Sequence, residues 1–409
     1  MPPRPGLLAD NTLRLAVEGY GWLPNLRRRE GTEVVQTRLL GGRAVALCGP
    51  EAARFFYDEQ HLRRHGAVPG AVQATLFGRG AVHTLDGAAH RHRKAVFTSL
   101  LDPEDHQPPA VRHGGLGRDR RRLALLAAGR TLRRGQPGTR PGGLPVGRGT
   151  AGRAGRRPVA ADMVAMVDGF GTFGPRHLRA RQARSRRERW LAELVDEVRQ
   201  GRRAADSGSA VDLIAGYRDA DGERLDPRLA AVEIINLVRP TVAVCWYVAF
   251  AAHALHRWPD LRARLRSGSP DYVTAFGHEV RRFYPFAPFV AGRAVRDLAW
   301  RDVPIPAGTL VLLDLYGQNH DPDLWPDPYV FDPERFLGRE IGAFELVPQG
   351  GGDPRTGHRC PGETTTVALL GALSGRLAEL DYEVPEQDLG ISLRRVPTRP
   401  RSGFVLVRG

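Results

Sequence analysis

Lysine is almost missing from this chain: its 409 residues carry 59 Arg and a single Lys, Lys94. Cysteine is nearly as scarce. The three present (Cys48, Cys245 and Cys360) are far apart and odd in number, so no disulfide framework is expected. The expected home is a reducing cytoplasm. No stretch reaches the roughly 18 uninterrupted apolar residues of a membrane span; the longest run, Thr241 to Ala252, follows directly on Arg239-Pro240. The first residues, Met1-Pro-Pro-Arg-Pro5, lack the charged-then-apolar pattern of a secretory signal. Internal repeats and a Gly-rich phosphate loop after a strand are missing too.

What is present is 42% hydrophobic and 26% charged residues, enough to bury one large core or two modest ones. The formal charge of +15 is unevenly spread. Residues 106–160 hold 13 Arg and one acid, Asp119, a net +12 that leaves +3 for the other 354 residues. The same tract has 12 Gly and 6 Pro and shows neither a helical nor a strand period. A basic arm for nucleic acid and a long linker are two readings of it. The third concerns the gene. Arg in place of Lys marks GC-rich coding DNA, and such DNA read out of frame gives mostly Arg, Gly, Ala and Pro. A pair of offsetting frameshifts is the favoured reading, with no nucleic-acid partner, so the chain is expected to be a single domain, 1–409, carrying an anomalous tract.

Outside the tract, helical spacing predicts helices over 51–57, 90–101, 187–199, 229–255, 270–283 and 361–380. Thr32 to Leu40 and Arg43 to Cys48 read as a hairpin about Gly41-Gly42. Short strands are expected near 299–300, 309–313 and 403–407. Helices dominate, with small sheets at the edge.

The most informative stretch runs from Gln349 to Glu363, Gln-Gly-Gly-Gly-Asp-Pro-Arg-Thr-Gly-His-Arg-Cys-Pro-Gly-Glu. A Gly-rich loop delivers Cys360 to a helix expected to begin at Pro361, where the helix's positive end favours thiolate. Thiolate is a soft ligand suited to haem iron. A buried, inert cysteine in a turn is the alternative, so further signs are needed. Pro361-Gly362 after the cysteine, Glu279-Val-Arg-Arg282 upstream and Pro333-Glu-Arg-Phe336 between them resemble the haem-thiolate cytochrome P-450 superfamily. The resemblance implies that fold, a helical bundle around a buried haem b (iron protoporphyrin IX), with Cys360 as the axial iron ligand. Where many members have Phe, seven residues before the cysteine, this chain has Asp353. That longer loop, with Phe283-Tyr-Pro-Phe286, Leu312-Leu-Asp-Leu-Tyr-Gly317 and Asn319-His-Asp-Pro322, is similar to one branch, the bacterial fatty-acid peroxygenases.

The long apolar helix adds a chemical point. Most relatives carry an acid followed by Thr there; this chain reads Asn236-Leu-Val-Arg239-Pro240-Thr241. An Arg in such a helix is costly without an anion, and its planar fork matches a carboxylate. Arg239 pairing with Glu233, or reaching solvent, is the alternative. Pro240 removes a helical N–H and is expected to kink the helix. The resemblance implies a peroxide-driven hydroxylase that clamps a fatty-acid carboxylate on Arg239 and uses it as acid/base. No obligatory redox partner and no membrane span are expected. Hydroxylation at the α or β carbon competes with loss of CO₂ to a terminal alkene, and by this resemblance His83 matches a distal position expected to bias the two, an ordinary loop histidine being the alternative. His90, Lys94 and His358 are expected at the haem propionates, and Leu76, Phe77, Phe286 and Phe289 along the acyl tunnel. A reductase-dependent monooxygenase and an inactive frameshifted product are the alternatives.

Overall fold

The computed structural model describes residues 9–101, 133–134 and 159–408. Of the tract 106–160, only 133–134 and 159–160 are among the described residues. At the centre runs one helix, Pro227–Arg257, capped by the Asp226 carboxylate, which accepts from the N–H groups of Arg228 and Leu229. Pro227 occupies its first turn, where a missing N–H costs nothing. From Ala230 to Leu255 nearly every residue is buried on every side, which is why its sequence is apolar all round. By length and composition it would cross a membrane, yet 89% of its most apolar window is buried inside the protein. Pro240 lies inside it, and the helix is continuous through that residue.

Four further helices enclose the central one: Val159–Asp168, Pro175–Arg199, Pro270–Phe283 and Glu363–Glu379. The first two meet closely at Gly169, where a Cβ would overlap Ala180. The helix carrying the cysteine loop begins at Glu363 and not at Pro361; Gly362 stands at its cap and 361–362 form a turn.

The largest sheet has five strands in the order Val35–Leu39, Gly42–Leu47, Leu310–Asp314, Phe289–Ala294 and Leu62–Arg63. The predicted hairpin is present, its turn made by Leu40 and Gly41, both at positive φ (50° and 79°). Gly42–Leu47 pairs in parallel with Leu310–Asp314, and both faces of that pair are covered. Val45, Leu47, Val311 and Leu313 face the Pro50–Tyr57 helix, while Ala44, Ala46 and Leu312 face Trp22, Leu23 and Leu26. Double coverage explains why these strands read as unbroken apolar runs. Val405–Arg408 lies between 133–134 and Tyr382–Glu383, and Leu298–Trp300 pairs with Val303–Ile305.

Phe289 belongs to this sheet and not to a tunnel. Its ring meets Trp22 edge-on at 6.0 Å in the cluster under the N-terminal hairpin, which corrects its expected role. Near it, one hydroxyl joins three distant stretches. Tyr20 donates to the Phe286 carbonyl at 2.7 Å and accepts from the Thr398 N–H at 3.3 Å.

Candidate active site

The cysteine loop is held from behind by charge. Glu279 and Arg282, one turn apart on Pro270–Phe283, make two parallel hydrogen bonds of 2.7 Å with no side-chain exposure. Arg282 also donates to the carbonyls of Asn319 (2.9 Å) and Pro328 (2.8 Å). Glu279 accepts the Asp332 N–H at 2.8 Å and faces Arg335 at 3.4 Å. On spacing alone Glu279 and Arg282 would make an ordinary surface ion pair; in the fold they lock the core. Beside them, Arg281 reaches Gln349 Oε1 at 3.0 Å and Glu363, which also takes Arg359 at 2.7 and 3.1 Å. The Gln349 carbonyl in turn accepts the Cys360 N–H at 3.0 Å. Sequence reasoning missed Arg281 and Gln349, although Arg281 adjoins the recognised pair. Asp353 stays exposed, capping its own turn through Thr356 and the Arg355 N–H.

Cys360 sits inside the protein with part of its surface still accessible. Burial pushes its thiol up, against the lowering effects of the Gly362 N–H, Gln349 and Lys94. The helix end was expected to lower it; with the helix beginning three residues on, desolvation wins.

Facing the loop is a crowd of basic groups, with Asp86 at its edge 3.8 Å from His358 Nε2. Lys94 donates to the carbonyls of Gly357 and, at 2.7 Å, Arg359. Burial lowers its pKa to about 8, partly offset by Cys360 and Asp353. The rings of His90 and His358 stack at 3.9 Å. His90 is pushed down to about 4 by burial and then by Lys94, and His358 falls further for the same reason, with Arg64 nearby. Arg359 is committed to Glu363. His83 lies against Phe77, ring centroids 4.5 Å apart, and is held at about 3 by burial and then by Arg239, His90 and Lys94.

Arg239 is 6% exposed. Burial, then Arg184, lowers its pKa to about 9, while Cys360 pulls the other way. It forms no ion pair among the described residues, and its Nε has no partner. The Glu233 alternative fails, because that carboxylate accepts the Val82 N–H at 2.9 Å and faces Arg93 at 3.3 Å. Leu76 is buried in the core around the central helix and Phe77 packs against it; Phe286 packs there too, 5.3 Å from the Tyr247 ring.

These residues fit a planar dianionic group bound through a soft sulfur. Buried nitrogens of His83, His90, His358 and Arg239 have no hydrogen-bond partner among the described residues, and the positive charges of Arg239, Arg64 and Lys94 hold the histidines down. An anion among them relieves both costs. A Glu59–His90–His358 group has ligating atoms within 4.8 Å of one another, but Arg91 already takes Glu59 at 2.7 Å.

Comparison with known proteins gives the same answer. The Cytochrome P-450 family profile matches residues 270–365. Among curated relatives, the cyclooctat-9-en-7-ol 5-monooxygenase of Streptomyces melanosporofaciens is 30% identical over 216 residues, 46% of each chain. The chain spans about half the length of such relatives. Solved structures match throughout. Cytochrome P-450EX alpha (CYP152N1) with myristic acid is 35% identical, with a TM-score of 0.83 over 98% of this chain and 97% of that one. Cytochrome P-450SP alpha (CYP152B1) with (R)-ibuprophen is 37% identical, with a TM-score of 0.84 over 97% and 98%. The chain therefore belongs to the cytochrome P-450 superfamily, in its fatty-acid peroxygenase (CYP152) branch.

Proposed function

We propose that the chain uses hydrogen peroxide to hydroxylate long-chain fatty acids at the α or β carbon, with haem b as its cofactor. The observation that carries this reading is Arg239: a guanidinium buried in the central helix, with Glu233 committed elsewhere and no described acid beside it. Solved relatives hold carboxylic acids, among them myristic and arachidonic acid.

Cys360 would hold the haem iron through its sulfur, and His90, Lys94 and His358 would hold the propionates. When bound, the haem supplies the chemistry that turns peroxide into an oxidant. The chain supplies position and proton. The Arg239 fork grips the substrate carboxylate through two parallel hydrogen bonds, which presents Cα and Cβ and leaves the acyl tail to Leu76, Phe77 and Phe286. The helix offers no acid of its own beside Arg239, so the carboxylate takes the proton from one peroxide oxygen and returns it to the other. That oxygen leaves as water, and the balance is R–H plus H₂O₂ giving R–OH plus water. His83, pushed down by burial and by Arg239 beside it, biases hydroxylation against loss of CO₂ through hydrogen bonding. Pro240 removes the N–H that would close on the Asn236 carbonyl, next to the residue that grips the substrate.

No reductase is required, and the enzyme acts in the cytoplasm. The test is myristate with hydrogen peroxide and no nicotinamide cofactor. Hydroxymyristate forms if the reading holds; an absolute requirement for NAD(P)H and a reductase overturns it.

A further inference from the structure

Residues 73–77 form a short π-helix, closed by the Gly78 N–H on the Gln73 carbonyl at 2.7 Å. A turn of this kind leaves its last carbonyls out of step with an α-helical ladder, and they need donors from elsewhere. Two arrive from different helices. Arg184, on Pro175–Arg199, donates to the Leu76 carbonyl at 2.7 Å and the Phe77 carbonyl at 3.0 Å. Asn236, three residues before Arg239 on the central helix, donates to the Phe77 carbonyl at 2.8 Å. Glu233 then takes the Val82 N–H at the far end of the same segment. Arg184 is 2% exposed and anchored by Glu188 at 2.5 Å. Gly78 makes the close approach feasible, since a Cβ there would overlap Arg184 Nη2 and Val232, at a φ of +85°.

We propose that Arg184 and Asn236 are positioning residues: they fix segment 76–83 to the central helix and so set how Leu76, Phe77 and His83 meet the substrate carbons beside Arg239. This rests on the peroxygenase reading for its effect on products, but not for its effect on the segment. A guanidinium spanning two successive carbonyls fixes direction as well as distance, which a single ammonium does not. Helix-end carbonyls also favour a cation on electrostatic grounds. Any loosening moves the Phe77 ring, and with it the His83 ring tilted against it.

The test compares haem-loaded wild type with Arg184→Met and Asn236→Leu. Arg184→Lys serves as the conservative variant and stands in if Arg184→Met does not fold. Amide hydrogen exchange over 76–83 is expected to quicken about tenfold in both substitutions while Pro270–Phe283 is unaffected. Myristate KM should rise more than kcat falls, and the α:β product ratio should shift at least about threefold, with Lys intermediate. Unchanged exchange overturns the proposal, and so does faster exchange with unaltered KM and product ratio. If wild type forms no product from peroxide, the peroxygenase reading has failed. Exchange over 76–83 and the affinity for myristate, read from the haem absorption change, then decide the positioning role, unaltered values overturning it.

Discussion

Removing the guanidinium by Arg239→Ala is expected to lower kcat/KM for fatty acids at least about a hundredfold while haem stays bound. Undiminished turnover would refute the clamp. Cys360→Ala should abolish the ferrous–CO band of a thiolate haem, and a retained band would refute the ligand assignment. Glu233 offers a pH test. Burial raises its folded pKa from 4.5 to about 7, so between those values the folded state holds a proton that the unfolded chain has released. Stability contributed by this group therefore falls as pH rises from 4.5 through 7, by up to about 3 kcal/mol. Glu233→Gln should flatten that part of the stability curve; an unaltered slope would mean that the burial cost is met elsewhere. Arg239 and Cys360 were legible in the sequence because each is chemically out of place, a cation in an apolar helix and a lone thiol in a glycine loop. Arg184, Asn236 and Gln349 were not. Their work is done on backbone carbonyls and amides far away in sequence, and a carbonyl leaves no trace in composition.

Pro270–Phe283 was predicted to the residue, because Ser269 caps it through the Tyr272 N–H and Pro270 starts it. Other helices came out short in prediction. Pro175–Arg199 gains its first three turns from a charged segment, Pro175 to Arg186, whose stability comes from packing and ion pairs such as Arg186 and Arg187 on Asp162. Phe289 was expected on the tunnel as an apolar aromatic near Phe286; its strand pairs with 310–314, a partner that local sequence does not name. Where helices cross, small residues decide the spacing. Gly169→Ala puts a methyl into Ala180 and should cost about 2 kcal/mol, seen as a lower Tm with haem content intact. An unchanged Tm would show that the two helices have slack there.

At the scale of the whole chain, the match to solved structures extends over 98% of its length, so the flanks of the tract 106–160 are spaced as in those relatives. We propose two offsetting frameshifts there rather than an inserted arm. Resequencing codons 100 to 165 is expected to reveal the pair, and an unaltered reading would refute it. Tyr20 carries the last consequence. Because its oxygen bridges the opening helices, the stretch bearing Phe286 and the loop at Thr398, residues near both ends of the described chain are fastened at the same peg as the stretch proposed to line the cavity. Peeling either end away slackens that stretch, so limited proteolysis should yield no long-lived haem-retaining fragment trimmed past residue 20 or before 398.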